Sequence, residues 1–449
     1  MKQTQVIDFT HGGLLKKFMV FVVPLIITGV LQVFFNAADL VVAGRFAGET
    51  ALAAVGSTSS LINLILGLAI GLSVGANIVA AVFIGADDRG MVKKTVDTAI
   101  MISLVCGVIC MTIGILGARA LLTLMGTPED VIEQSIIYFR IYFAGIPASM
   151  LYNFSAAILR AAGESRKPLI YLLISGITNV FLNIIFVTQF KMGAAGVGLA
   201  TALTQYLAAF LIICELIKTD EIYKFTPKDF KPSKAVFKRI LSIGIPSGIQ
   251  GMVFSFSNII IQSSVNSFGS EVVAGNSAAA NIESFAYIAM NAFSVAATTV
   301  AGQNIGAKKY KRIDKVVWET GLLVTGVGIV LGGLIYIFGD PLARLYCPDS
   351  EMAVNYAQIR LFYIALPYFL CGLFEVLTGI LKSCGYAIAS MIISLVCCCG
   401  VRIVWIYTVF AAVRTLESIY ILYGMTWTLA IIACVILYLA VARRNMRKN

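Results

Sequence analysis

Asp39 is an acid set in an apolar run, with Asn36 three residues and Gln32 seven residues ahead of it. At helical spacing these polar groups share one face. An isolated acid at membrane depth costs about 2.5–3.5 kcal/mol on insertion scales, so its presence points to the handling of a coupling ion. A carboxyl withdrawn from water can load and release a proton, whereas a sodium ion would hold it ionised. Ser175, Asn179 and Asn183 fall at i, i+4 and i+8, again a single face, and Asn153, Thr201 and Gln205 add polar groups in neighbouring apolar runs. Taken singly, each Asn serves interhelical packing equally well.

The second half of the chain carries different charges. Glu283 and Glu375 lie in apolar runs, near a neutral stripe of Ser255, Asn258 and Gln262. They are expected to attract a cationic substrate or to take a second proton. Met290, Tyr287, Phe154 and Phe285 are candidates to line a cavity and stack on flat cations. Arg402 needs a carboxylate if it is buried, and Glu375 or Glu283 in the same half is the expected partner, making a structural ion pair. Arg140 and Arg360, at equivalent places in the two halves, are expected to snorkel to the outer interface.

Other chemistries lack their residues. His11 is the only histidine, which removes most zinc and imidazole-base chemistry. Nine of the ten cysteines lie in or beside apolar runs, and Cys347 has no partner in a loop, so no disulfide framework is implied. No nucleotide-binding loop is present, and no cofactor is expected beyond H+ or Na+ as coupling ion.

The elements that position these groups follow from composition. Hydrophobic residues make up 59% of the 449 and charged residues 13%, with a mean hydropathy of +0.90. So few charges cannot cover a soluble surface, and most of the outside must face lipid. Twelve stretches reach the length that a bilayer demands, with limits near 15–44, 50–85, 96–119, 131–160, 168–190, 194–217, 237–267, 272–306, 317–339, 352–382, 386–412 and 416–442. They are numbered spans 1 to 12. Lipid offers the backbone no hydrogen bonds, so each must be a helix. The first is too long for a cleavable signal. Lys and Arg concentrate in both tails and in the loops after even-numbered spans, which places both termini in the cytoplasm. The net charge of +11 is therefore a matter of orientation, not of nucleic-acid binding.

The sequence also repeats at an offset of about 221 residues. Pro24 and Asn36 stand opposite Pro246 and Asn258, and Arg140 and Pro147 opposite Arg360 and Pro367. The four prolines are expected to kink their helices. Each half has an even number of spans, so the two run in the same sense, a parallel repeat. The expected domains are an N-lobe at 1–217, a cytoplasmic linker at 218–236 and a C-lobe at 237–449. A pair of six-helix lobes suggests alternating access by rocking.

Several segments resemble the MATE family of multidrug and toxic compound extrusion antiporters. They are "VAGQNIGAKKYKR" at 300–312, "AAVFIGADDRG" at 80–90 and "NAADLVVAGRFAGETALAAVG" at 36–56. The likeness covers essentially the whole chain, and Asp39 with the long linker is similar to the bacterial DinF-like, MepA-like branch. It implies an all-α membrane protein of twelve helices in a V-shaped pair of bundles. It also implies export of bulky, often cationic drugs in exchange for protons or sodium, by a monomer that binds neither nucleotide nor nucleic acid. By the same resemblance Asn179, Asn183, Thr201, Asn153 and Asn36 would close around Asp39 as the ion-coupling site. Asp39, Asn179 and Asn183 would be metal ligands only if sodium is the ion. Asn183 stands where some relatives carry a second carboxylate, which removes an anionic oxygen that a hard cation would favour. A lipid-linked precursor flippase of the same superfamily is the alternative; it would call for several cavity arginines or lysines, and only Arg402 lies well inside a span. The expected setting is a bacterial inner membrane.

Overall fold

A computed structural model describes residues 6–442, and among them there is no strand. Among the described residues eleven helices are long and apolar enough to cross a bilayer. They are Leu14–Ala47, Glu49–Gly85, Arg89–Leu124, Glu129–Ala161, Arg166–Gln189, Gly193–Lys218, Lys234–Asn266, Ser270–Gly306, Tyr310–Ile337, Ala387–Phe410 and Leu416–Ala440. A further pair in the place of span 10, Glu351–Ile364 and Tyr368–Ser383, is long and apolar enough only when taken together and is bent by 45° at the break. The outside suits lipid: Leu116 and Trp318 are 78% and 72% exposed at mid-helix, where water would penalise them.

Of the four expected kinks, the break falls at Pro367. Pro24, Pro147 and Pro246 lie inside unbroken helices. Proline removes one backbone donor and crowds the preceding turn, and here the turn re-forms when Leu370 N donates to Pro367 O at 2.9 Å.

The described residues form two compact units: 23–248 with 6–8, and 9–22 with 249–442. This differs from the expected boundaries at 217 and 237. The start of span 7 packs in the first unit because Gly71 and Gly75 of span 2 admit it closely. A Cβ on Gly71 would lie 2.3 Å from Gly248 Cα, and one on Gly75 would lie 2.3 Å from Ile240 O. The start of span 1 belongs to the second unit, where Phe18 meets Phe293 of span 8 with ring centroids 5.8 Å apart.

The linker is strapped to span 3 within the first unit. Lys231 N donates to buried Asp97 Oδ2 at 3.0 Å, and Ser233 N donates to Thr98 Oγ1 at 2.9 Å. Asp229 pairs with Lys93 and, at 2.7 Å, with Lys231. Among the described residues four spans carry π-helical turns: Ala43–Ala47 in span 1, Ile185–Gln189 in span 5, Ser394–Gly400 with Ile406–Phe410 in span 11, and Tyr438–Ala442 at the end of span 12. Such turns insert a residue and rotate the side chains beyond it to a new face, often at functional sites.

Candidate functional site

In the first unit, spans 1, 5 and 6 bring a polar cluster together around Asp39. Gly176 of span 5 lets span 1 approach, since a Cβ there would sit 1.9 Å from the Phe35 ring. One turn on from Phe35, Asp39 Oδ1 accepts from Asn183 Nδ2 at 2.5 Å, and Asp39 Oδ2 accepts from Thr201 Oγ1 at 3.5 Å. Asn183 Nδ2 also donates to Asn179 Oδ1 at 3.0 Å. Asn179 Nδ2 in turn reaches Thr201 Oγ1 and Thr204 Oγ1, each at 3.4 Å. Asn183 is fully buried, and its Oδ1 has no hydrogen-bond partner. The helices of both Asp39 and Asn183 change to π-helical turns within four residues of these side chains.

Not every expected member joins. Asn153 Nδ2 donates to Ser149 O in its own helix at 2.8 Å, and Asn36 is exposed with no bond to the cluster. Thr204 is an addition; it lies three residues after Thr201, so the helical period would have found it.

The second unit rearranges the expected charges. Glu283 of span 8 pairs with Arg360 of span 10, not with Arg402. Arg360 Nε and Nη2 reach Glu283 Oε1 and Oε2 at 3.1 and 2.9 Å, a two-pronged contact. Arg360 Nη1 donates to Asn276 Oδ1 at 2.6 Å, and Tyr420 Oη donates to the same oxygen at 3.2 Å. Asn276 Nδ2 continues to Gln262 Oε1 at 2.9 Å. Arg360 is thus buried and does not snorkel, whereas Arg140 is exposed and donates to Ile115 O at 3.1 Å. The two arginines occupy equivalent repeat positions, but only the second half places an acid opposite. That asymmetry was the available signal.

Arg402 has no carboxylate partner among the described residues; it reaches Thr426 Oγ1 at 3.4 Å and Asn258 Oδ1 at 3.3 Å. Glu375 forms no ion pair among them either, and its backbone oxygen accepts from Ser294 Oγ at 2.8 Å. Met290, expected to line a cavity, is fully buried against Gly372, where a Cβ would meet its sulfur at 2.2 Å. Tyr287 and Asn258 are exposed, and Gln262 is half-buried.

The most distinctive sequence segment has a structural task. Gln303 Oε1 accepts from Phe9 N at 3.1 Å, and Asn304 Nδ2 donates to Phe9 O at 3.3 Å. Lys309 Nζ donates to Thr10 O at 3.0 Å, and Arg312 Nη2 to Gly12 O at 2.6 Å. The "GQNIGAKKYKR" stretch therefore clasps the backbone entering span 1.

A helical membrane protein whose interior polar groups lie in the spans of a two-fold repeat has the architecture of a transporter rather than of an enzyme. The MatE family model matches residues 24–185 and again 246–408, once in each half, and the chain belongs to that family. It is 28% identical to the probable multidrug resistance protein YpnP of Bacillus subtilis, over 87% of each chain. It is 21% identical to the multidrug export protein MepA of Staphylococcus aureus, over 88% of this chain and 87% of that one. Among solved structures it is similar to the outward-facing conformation of a multidrug resistance MATE family transporter of the MOP superfamily. There the TM-score is 0.90, with 22% identity over 100% of both chains.

Proposed function

We propose that this transporter is a cation-coupled antiporter that exports amphipathic, mostly cationic drugs by alternating access. It works from a bacterial inner membrane with both termini in the cytoplasm. The observation that carries this reading is the Asp39 cluster: a carboxyl set within span 1 and faced by Asn183 and Thr201. Taking up a cation there neutralises the only acid of the cluster, so loaded and empty states differ by a full charge in a low-dielectric setting. A ligand or ion shifts a conformational equilibrium only by its unequal affinity for the two states, and a buried charge supplies that inequality.

Proton coupling is the first reading, because both neighbours can donate hydrogen bonds to the carboxylate and a proton requires no further oxygens. The orphaned Asn183 Oδ1 supports sodium as the second, since with Asp39 and Asn179 it offers oxygens to a hard cation. The relatives' names, multidrug resistance and multidrug export proteins, support the substrate class.

The test is drug efflux from proteoliposomes under an imposed proton or sodium gradient, comparing the unaltered protein with Asp39→Asn. Efflux driven by one gradient and abolished in Asp39→Asn is the expected result. Gradient-driven efflux that persists in Asp39→Asn would overturn the site, and dependence on ATP would overturn the class.

A further inference from the structure

Arg402 carries a charge that no acid among the described residues answers. It is 1% exposed, on a single α-helical turn, Val401–Trp405, between the two π-helical stretches of span 11. A guanidinium has five N–H donors. Here Nε and Nη1 make only long contacts, to Thr426 Oγ1 at 3.4 Å and Asn258 Oδ1 at 3.3 Å. Nη2 is buried and bonds nothing. The guanidinium carbon lies 4.3 Å from the Tyr423 ring centroid and 5.6 Å from that of Phe254. Of the two expected counter-charges, Glu283 is held by Arg360, and Glu375 forms no ion pair with Arg402.

Removing one partner from a buried pair is strongly destabilising because it leaves a charge uncompensated. Arg402 stands in that position by design of the fold, with two rings on it and a free donor. The nearer of its two oxygen contacts is the amide carbonyl of Asn258, and Asn258 is itself exposed. A turn of that one side chain would free Nη1 beside the unbonded Nη2. An incoming carboxylate would then bond two donors in parallel, as arginine forks do.

We propose that Arg402, with Asn258, Thr426 and the Tyr423 ring, is an anion subsite of the second unit. It receives the carboxylate or sulfonate of a transported aromatic amphiphile. The inference rests on the export reading above and deepens it by assigning Arg402 as the residue that holds the acidic end of such a substrate. The rings favour a flat aromatic acid over a small inorganic anion, because Tyr423 also packs on Trp427 with centroids 5.8 Å apart, giving the anion apolar walls.

The experiment uses the full chain in phosphatidylcholine vesicles, which contain no anionic lipid to compete. Two dyes with the same xanthylium core are compared, one with a free benzoate and the other its methyl ester. Arg402→Gln should raise KM for the benzoate relative to the ester by about tenfold to a hundredfold, the scale of a charge-assisted bidentate contact. Arg402→Lys should fall between, since it keeps the charge and loses the fork. An equal change for both dyes would show that Arg402 only braces the unit, and no change for either dye would show that it never meets the substrate; either overturns the proposal. Failure of the underlying export reading looks different: ester uptake would then ignore both the ion gradient and Asp39→Asn.

Discussion

Glu283→Gln separates a structural acid from a substrate-binding one. In the structure Glu283 and Arg360 are 4% and 8% exposed, and both Glu283 oxygens are bonded by the guanidinium. Glutamine retains an acceptor for one of those bonds but leaves Arg360 charged in the interior, with neutral oxygens alone, its own and that of Asn276, to answer it. Breaking a buried pair in this way costs about 3–5 kcal/mol. For a unit of about 200 residues, where 1 kcal/mol shifts the midpoint by about 2–4 °C, the thermal midpoint should fall on the order of 10 °C. The assay is thermal unfolding of the purified protein in detergent, with Glu283→Leu/Arg360→Met alongside. That apolar double replacement should recover much of the loss, because a buried pair is weak evidence for net stability while half of one is a liability. A midpoint unmoved in Glu283→Gln, with cationic drug export lost, would refute this reasoning and return Glu283 to the substrate-attracting role its position in the sequence suggested.

Two further outcomes test other parts of the molecule. Gly176→Ala should push the Phe35 ring off span 5 and spread the Asp39 cluster, reducing gradient-driven export at least tenfold on the scale of an ångström-sized misplacement of a site; export at the unaltered rate would show that the close approach of spans 1 and 5 is dispensable. Asp229 is held down to about 2, first by its hydrogen bond to Lys231 and then by Lys93. Because this value lies below the usual carboxylate range, the strap's contribution is complete above about pH 4 and is lost as pH falls toward 2. Hydrogen exchange of residues 226–233 should therefore rise across that window and be raised already at pH 6 in Asp229→Asn, whereas pH-independent exchange would show that the backbone bonds to Asp97 and Thr98 suffice.

Some of this protein is written in the sequence because lipid imposes simple rules. Runs of apolar residues long enough to cross a bilayer have one backbone solution, so twelve crossings followed from composition and length. The repeat was equally legible, and the family model's two matches follow it. Asp39 announced itself because charge in such a run is rare, and the i, i+4 spacing of Asn179 and Asn183 placed both on one face. Pairing was another matter. Which arginine meets Glu283, whether Asn153 turns toward Asp39 or back to Ser149, and where the glycines of span 2 let span 7 approach all depend on helix rotation and distance across the interior. A one-dimensional pattern gives each helix a face but not its neighbour. Arg402 shows the difference most plainly: the sequence demanded a carboxylate for it, and only the packing of spans 7, 11 and 12 decided that rings, an amide and a hydroxyl surround it, with Nη2 left unbonded.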